Sequence, residues 1–138
     1  MLTLDEALAL CASARAAASE RGLVMTFVVV DAAGHLQAVA RMDGVGWVCA
    51  DIAHGKAWTA AAFGTASAAQ KDKMASMPQF AAAITTMTHG RFTPQTGAVP
   101  IFRDAALLGA LGASGATGAE DEEVCSAAVT GSGYDLTP

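Results

Sequence analysis

The first forty residues change from a helical to a strand-like pattern of apolar positions. Apolar residues from Leu4 to Ala12 recur every three or four positions, the spacing of an amphipathic helix. Thr3 precedes this stretch as a helix cap, and Gly22 is a natural terminator. The stretches Leu23 to Val30 and His35 to Arg41 are typical of strands joined by a short Asp/Gly turn. We therefore predict a helix followed by a β-hairpin.

The rest of the chain alternates in the same way. Helical patterns predict three helices, over Trp47 to Phe63, Ser67 to Met74 and Pro78 to Met87. A second hairpin is predicted from Val99 to Phe102 and Leu107 to Ala113. A last helix is predicted over Glu120 to Thr130. Arg91 to Thr93 is a candidate for one further short strand.

Hairpins separated by helices predict an antiparallel sheet with helices packed on it, which is an α+β fold. We write the predicted order as α-β-β-α-α-β-β-α. No internal repeat, linker or shift of composition marks a boundary, so we expect a single domain over residues 1–138.

The composition changes this picture by suggesting how the core is built. Hydrophobic residues make up 53% of the chain, but aromatic residues only 6%, and much of the apolar content is alanine. A core of this kind depends on close approach of backbones more than on large side chains. It also leaves little polar surface to cover the outside, so we expect a homo-oligomer.

Charge and cysteine content exclude several classes of partner. The net charge is −5 and no basic cluster occurs, which argues against nucleic acid or an anionic membrane surface. The three cysteines are widely spaced, as expected for reduced thiols. The N-terminus carries acids where a signal peptide is basic, and no apolar run is long enough to span a bilayer. We therefore expect a cytoplasmic protein with no membrane partner.

Candidate chemistry centres on the second helix, because P-loop, dinucleotide-binding and zinc-protease motifs are absent. Asp51 and His54 share a helix face, either as two metal ligands or as a solvated pair. Lys56 lies on a different face in an alanine-rich stretch, either partly desolvated or extending to solvent along its methylenes. Arg41, at the end of the second strand, either grips a carboxylate or pairs with an acid such as Asp43.

Two glycine-containing segments and one cysteine complete the candidates. The segment Thr93 to Pro100 offers the Thr93 hydroxyl, the Gln95 amide, and the close backbone approach allowed at Gly97 and Ala98, or it is simply a turn. The segment Gly112 to Glu123 starts a helix whose amides hold an anion or are capped by its own acids, among them Asp121. Cys49 is either a thiolate nucleophile or, as we expect of Cys11 and Cys125, a buried inert thiol.

Five stretches of the chain, in order, resemble the GlcG/HbpS family of haem-degrading or haem-binding proteins, which also form the C-terminal domain of PduO-type corrinoid proteins. These stretches are Val28 to Leu36, Ala40 to Gly44, Lys56 to Ala60, Gly97 to Ile101, and Leu108 to Ala116 followed by Glu120 to Glu122.

The resemblance implies a profilin-like or PAS-like sheet flanked by helices, assembled as a dimer or a larger oligomer up to an octamer. It implies a ligand site near Arg41, Lys56 and the Gly97 loop, and a small-molecule ligand such as haem, another tetrapyrrole or a corrinoid. Relatives bind haem iron through a histidine or threonine. The first helix has no histidine here, so His35 and His54 are the candidate ligands.

Two functions follow, and the residues alone do not decide between them. The first is an oligomeric ligand-binding protein for haem or a related planar ligand; the cofactor is not fixed by the residues, and haem is the candidate. The second is an enzyme of a catabolic pathway acting on a small carboxylate or carbonyl compound, in which Arg41 clamps the acid group and Lys56 or His54 transfers a proton. A third interpretation is a structural partner without chemistry. The first two require Arg41 and Lys56 to lie at the rim of one common hollow.

Overall fold

The computed structural model describes all 138 residues and contains five helices and four strands. In chain order they are α1 (Leu4–Glu20), β1 (Thr26–Asp31), β2 (Leu36–Arg41), α2 (Cys49–Phe63), α3 (Ser67–Met74), α4 (Pro78–Met87), β3 (Ala98–Arg103), β4 (Ala106–Ser114) and α5 (Gly118–Gly131). The α+β class is confirmed. The stretches predicted at Ser67 and Pro78 are separate helices, so three helices rather than two lie between the hairpins.

The sheet is antiparallel throughout, in the order β2-β1-β4-β3. Both predicted hairpins are present, and the central pair joins β1 to β4 with Thr26 opposite Ser114. The further strand suggested at Arg91 to Thr93 is wrong. The amide of Thr93 donates to the Thr59 hydroxyl of α2 (2.8 Å), so this segment is tied to a helix and not to a strand.

The two faces of the sheet are covered differently. Helices α1 and α5 pack on one face over a cluster of 20 buried residues that includes Phe27, Leu111 and Val129. Helix α2 covers the other face through a cluster of only 8, mostly alanine. Small side chains let α2 lie close to the strands, as the composition predicts.

Gly112 of β4 shows how close this contact is. A Cβ atom at Gly112 would overlap the Ala53 carbonyl oxygen and lie 2.9 Å from the Ala57 amide nitrogen of α2. Backbone of the sheet and backbone of the helix therefore touch without an intervening side chain. This fixes the height and rotation of α2, and with them the positions of every functional side chain it carries.

Helix α4 is the exception to this compact packing. None of its residues is buried, and its larger apolar side chains Phe80 and Met87 are exposed. Among the other helices and strands it packs on α3. No helix of the protein has the length and apolar character needed to cross a membrane.

Two candidate sites on opposite sides of helix α2

Helix α2 positions the two most distinctive polar groups of the structure. His54 and Lys56 are two residues apart, about 200° around the helix, so they point in different directions. Each lines its own hollow. We call these the Lys56 hollow and the His54 hollow.

The Lys56 hollow is built around a buried ion pair. The Lys56 ammonium donates to the Asp121 carboxylate (Nζ–Oδ2 2.9 Å) and to the Ala113 carbonyl (3.2 Å). Lys56 is only 5% exposed and Asp121 only 1%, so extension of this lysine to solvent is excluded. Because α2 and α5 cover opposite faces of the sheet, the pair joins the two helix layers past the end of β4.

Gly97 makes room for this pair. Its φ is +139°, and a Cβ atom there would lie 2.6 Å from the Lys56 ammonium and 3.0 Å from the Asp121 Cβ. Its carbonyl accepts from the Ala113 amide (2.9 Å), which continues the β3–β4 pairing past Ala98. The close backbone approach expected at Gly97 is thus toward the protein's own ion pair. Ala98 is buried, and its amide donates to the Ser67 hydroxyl (3.0 Å).

The start of α5 closes one wall of the hollow. Thr117 caps the helix and forms a reciprocal box with Glu120, and the second oxygen of Asp121 accepts from the Ala116 amide (3.1 Å). The acids of the first turn therefore do cap their own helix. Gly118 and Ala119 still line the hollow, next to the positive end of the helix dipole.

The hollow that these groups surround has a volume of about 490 Å³ and a mainly polar lining. Its side chains include Lys56, Asp121, Lys71, Gln95, Thr96 and Ser114. Burial raises the pKa of Asp121, while the Lys56 ammonium and the Ala116 amide oppose this rise. A fixed cation and a hydrogen-bonded carboxylate thus lie at the base of a polar cavity.

The His54 hollow is smaller, about 180 Å³, and lies on the other side of α2. Its side chains are Asp51, His54, Trp58, His89 and Arg91. Burial lowers the pKa of His54; Asp51 raises it and the Arg91 cation lowers it further. The lowered pKa favours the neutral imidazole, and His54 makes no hydrogen bond in the structure, so its ring nitrogens have no protein partner in the hollow. No group of three or more His, Cys, Asp or Glu residues is arranged to hold a metal ion.

Backbone contacts shape this second hollow. A Cβ atom at Gly55 would overlap the Thr93 hydroxyl, so a glycine is needed where the 91–93 segment crosses α2. Thr93 thereby holds that segment in place and lines neither hollow. Trp58 packs against Gly34 in the turn of the first hairpin, where a Cβ atom would lie 2.7 Å from the indole.

The remaining predicted residues lie outside both hollows. Arg41 is exposed, forms no ion pair, and lines a separate hollow made by residues 41–47. The expectation of one hollow shared by Arg41 and Lys56 is therefore wrong. His35 sits in the hairpin turn with its side chain 79% exposed, 3.3 Å from the Asp31 carboxylate.

This separation weakens the enzyme hypothesis in its original form. Arg41, Lys56 and His54 line three different hollows, so a single chain does not assemble them around one substrate. The cysteines add no alternative. Cys11 and Cys125 are buried as expected, and burial raises the pKa of Cys11 to about 11. Cys49 is partly buried and lines none of these hollows.

Three polar residues of the Lys56 hollow are not among the candidates named from the sequence: Thr96, Ser114 and Lys71. Thr96 lies inside the candidate segment Thr93 to Pro100. Ser114 carries a usable signal, since it is a polar residue at the end of a buried strand directly before Gly115. Lys71 carries none, because it is one of several polar residues on a short helix whose placement the sequence leaves open.

Comparison with known proteins agrees with this fold. The family described as "Haem degrading protein HbpS-like" matches residues 2–130. A PduOC–heme complex is 25% identical, with 99% of each chain covered and a TM-score of 0.88. A double mutant of Streptomyces reticuli HbpS is 27% identical, with 94% of this chain and 85% of that chain covered and a TM-score of 0.82. The Klebsiella pneumoniae protein ORFY is 25% identical, with 93% of this chain and 88% of that chain covered and a TM-score of 0.80. Among curated protein sequences, none is significantly similar to this chain.

Proposed function

The chain belongs to the HbpS-like family, and on that basis we propose that it is a ligand-binding protein for haem or a related tetrapyrrole, with His54 as the axial donor. The observation that carries this proposal is the His54 imidazole, which is held neutral and without a hydrogen-bond partner in a hollow beside an aromatic ring. Neutral imidazole is a common axial ligand of haem iron. The similarity to a heme complex over the whole chain supports the same ligand class.

The surroundings of the three histidines favour His54. His35 is almost fully exposed and directed to Asp31, so little apolar surface surrounds it. His89 is exposed, in a left-handed turn (φ 57°) at the rim of the His54 hollow. Only His54 combines partial burial with neighbours suited to haem, Trp58 for the ring and Arg91 for a propionate.

The size of the His54 hollow supports an oligomeric form of the site. Binding pockets for molecules of this size usually have volumes of roughly 300–1,000 Å³, and the His54 hollow has about 180 Å³. One chain therefore holds one part of a macrocycle and leaves the rest to be covered. We propose that a second copy covers it, in a homo-oligomer between a dimer and an octamer.

Helix α4 offers a surface for that second copy. Its apolar side chains Phe80 and Met87 are exposed, and Met87 precedes His89 of the His54 hollow by two residues. Association through α4 would bury this apolar surface beside the proposed haem site. The same assembly accounts for the high apolar content that the sequence shows.

Titration with haemin tests the proposal. The wild-type chain is expected to give a saturable Soret shift, because a nitrogen ligand reaches the iron. His54→Ala should lose this shift, and His35→Ala, the matched control, should keep it. An unchanged spectrum in His54→Ala, or no Soret shift in the wild type at micromolar haemin, would overturn the assignment.

A further inference from the structure

We propose that the Lys56 hollow is a second binding site, separate from the haem site, and that it takes a small organic monocarboxylate. The proposal goes beyond tetrapyrrole binding and does not depend on it, because the two hollows share no lining residue. Three features on the hollow's wall point to an anionic ligand: a serine hydroxyl with no hydrogen-bond partner in the protein, an ammonium with a spare donor, and a helix N-terminus.

Ser114 is the first of these features. It is only 6% exposed, yet its hydroxyl makes no hydrogen bond in the structure, and it lines the hollow. The side-chain oxygens that are sealed from solvent without a partner lie elsewhere in the chain, so the Ser114 oxygen is accessible from the hollow and free to bond a ligand or water there. A carboxylate oxygen in the hollow would accept from Ser114.

The Lys56 ammonium is the second feature. An ammonium has three N–H donors, and the Ala113 carbonyl and the Asp121 carboxylate accept two of them. The third is free for a ligand. Since both protein acceptors hold Lys56 in place, its donor direction is set before any ligand arrives, which lowers the entropy cost of binding.

The N-terminus of α5 is the third feature. Gly118 and Ala119 are its first residues and line the hollow, and amides at this position lack preceding helical carbonyls as acceptors. The helix has 14 residues, and its positive end faces the cavity. Amides at a helix start and a nearby ammonium together form a common arrangement for binding an anion.

The charges of the site select the charge of the ligand. Lys56 and Lys71 supply two positive charges and Asp121 one negative charge, which leaves a net charge of +1 in the lining. Glu120 turns away to cap its own helix at Thr117. A monoanion balances this lining, whereas a phosphate dianion would leave negative charge next to the buried Asp121 carboxylate. The polar side chains of Gln95 and Thr96 suit a carboxylate with a further hydroxyl or carbonyl group.

Titrations followed by amide NMR test this assignment on the haem-free chain. Lactate is the probe, lactamide its neutral counterpart, and inorganic phosphate the competing anion. We expect lactate to saturate below about 10 mM and to shift the amides of Ser114 and Ala119, whereas lactamide should not bind. Lys71→Gln should weaken lactate binding about tenfold through loss of a charged partner. Lys73→Gln, two residues away and outside the hollow, should not.

Several outcomes would overturn the proposal. They are absence of saturable lactate binding, equal binding of lactate and lactamide, tighter binding of phosphate than of lactate, and equal effects of Lys71→Gln and Lys73→Gln. Ser114→Ala should also weaken binding with no change in fold. His54→Ala should bind lactate like the wild type, so failure of the haem assignment and failure of this one are observed separately.

Discussion

The two sides of helix α2 hold polar groups under opposite conditions. On the side toward the end of β4, Lys56 is buried, paired with Asp121 and fixed by the Ala113 carbonyl. On the other side, His54 is only partly buried and has no hydrogen-bond partner. Two residues of one helix thus differ in whether other groups of the protein supply their hydrogen-bond partners. The satisfied group contributes to the fold and leaves one donor for a ligand, whereas the unsatisfied group is available for coordination.

The cause of this difference lies in what each side of α2 faces. The sheet side meets small residues such as Gly112 and Gly97, so backbone and charged groups come close and water is excluded. The His54 side meets the segment Gly90 to Thr93, in which Gly90 and Arg91 are exposed; this segment packs over Gly55 and leaves a shallow opening. Close packing therefore produces a fixed ion pair, and loose packing produces an open ligand position.

Removal of Lys56 should have the largest effect on stability. Lys56→Met leaves the Asp121 carboxylate buried without its partner, and breaking such a pair costs about 3–5 kcal/mol. We expect urea denaturation to show this loss. The control is Arg21→Met in the exposed Arg21–Glu123 pair (2.7 Å), for which the expected cost is about 0–1 kcal/mol. If Lys56→Met and Arg21→Met lowered the free energy of unfolding equally, the Lys56–Asp121 pair would not be a fixed, buried part of the fold.

An intermediate effect is expected from filling the gap between α2 and the sheet. Gly112→Ala places a methyl group against the backbone of α2, and overpacking of this kind costs about 1–3 kcal/mol. Gly131→Ala, at the end of α5 with open space around it, is the matched control and should be neutral or slightly stabilising. Thermal unfolding measures both, and a harmless Gly112→Ala would show that the close contact does not position α2.

The smallest expected effect is on the pH dependence of stability, through His54 on the less tightly packed side of α2. Because the pKa of His54 is lowered in the folded chain, the unfolded chain binds more protons as the pH falls through about 6.5. This contribution to stability is present above that pH and is lost on acidification. His54→Ala should remove this part of the pH dependence of urea denaturation, and His35→Ala should keep it. The same slope in both variants would assign it to another group.

Most of the fold follows from local sequence. Thr3 with Glu6 and Thr117 with Glu120 form the helix caps, and the Asp/Gly turn sets the first hairpin. These features involve residues a few positions apart, so a pattern along the chain contains them. The short strand expected at Arg91 to Thr93 failed because the partner of that segment, Thr59, lies 34 residues away on a helix.

The site was less predictable because its contacts are distant in sequence. The alanine-rich stretch around Lys56 correctly indicates desolvation, but the partner, Asp121, is 65 residues away and had only a capping role in the sequence interpretation. Arg41 lies apart from Lys56 because β2 is an edge strand and residues 41–47 form their own hollow. Which polar groups meet depends on how α2, β4 and α5 stack, and composition does not specify this.

The lack of buried residues in α4 has a consequence for how the molecule fluctuates. A ten-residue helix is marginal in water without packing to hold it. In an isolated chain α4 should therefore open locally far more often than α1, which contributes five buried residues to the main core. Hydrogen exchange along the chain would then be fast in α4 and slow in α1, and the slowing of exchange in α4 would report the arrival of whatever covers it.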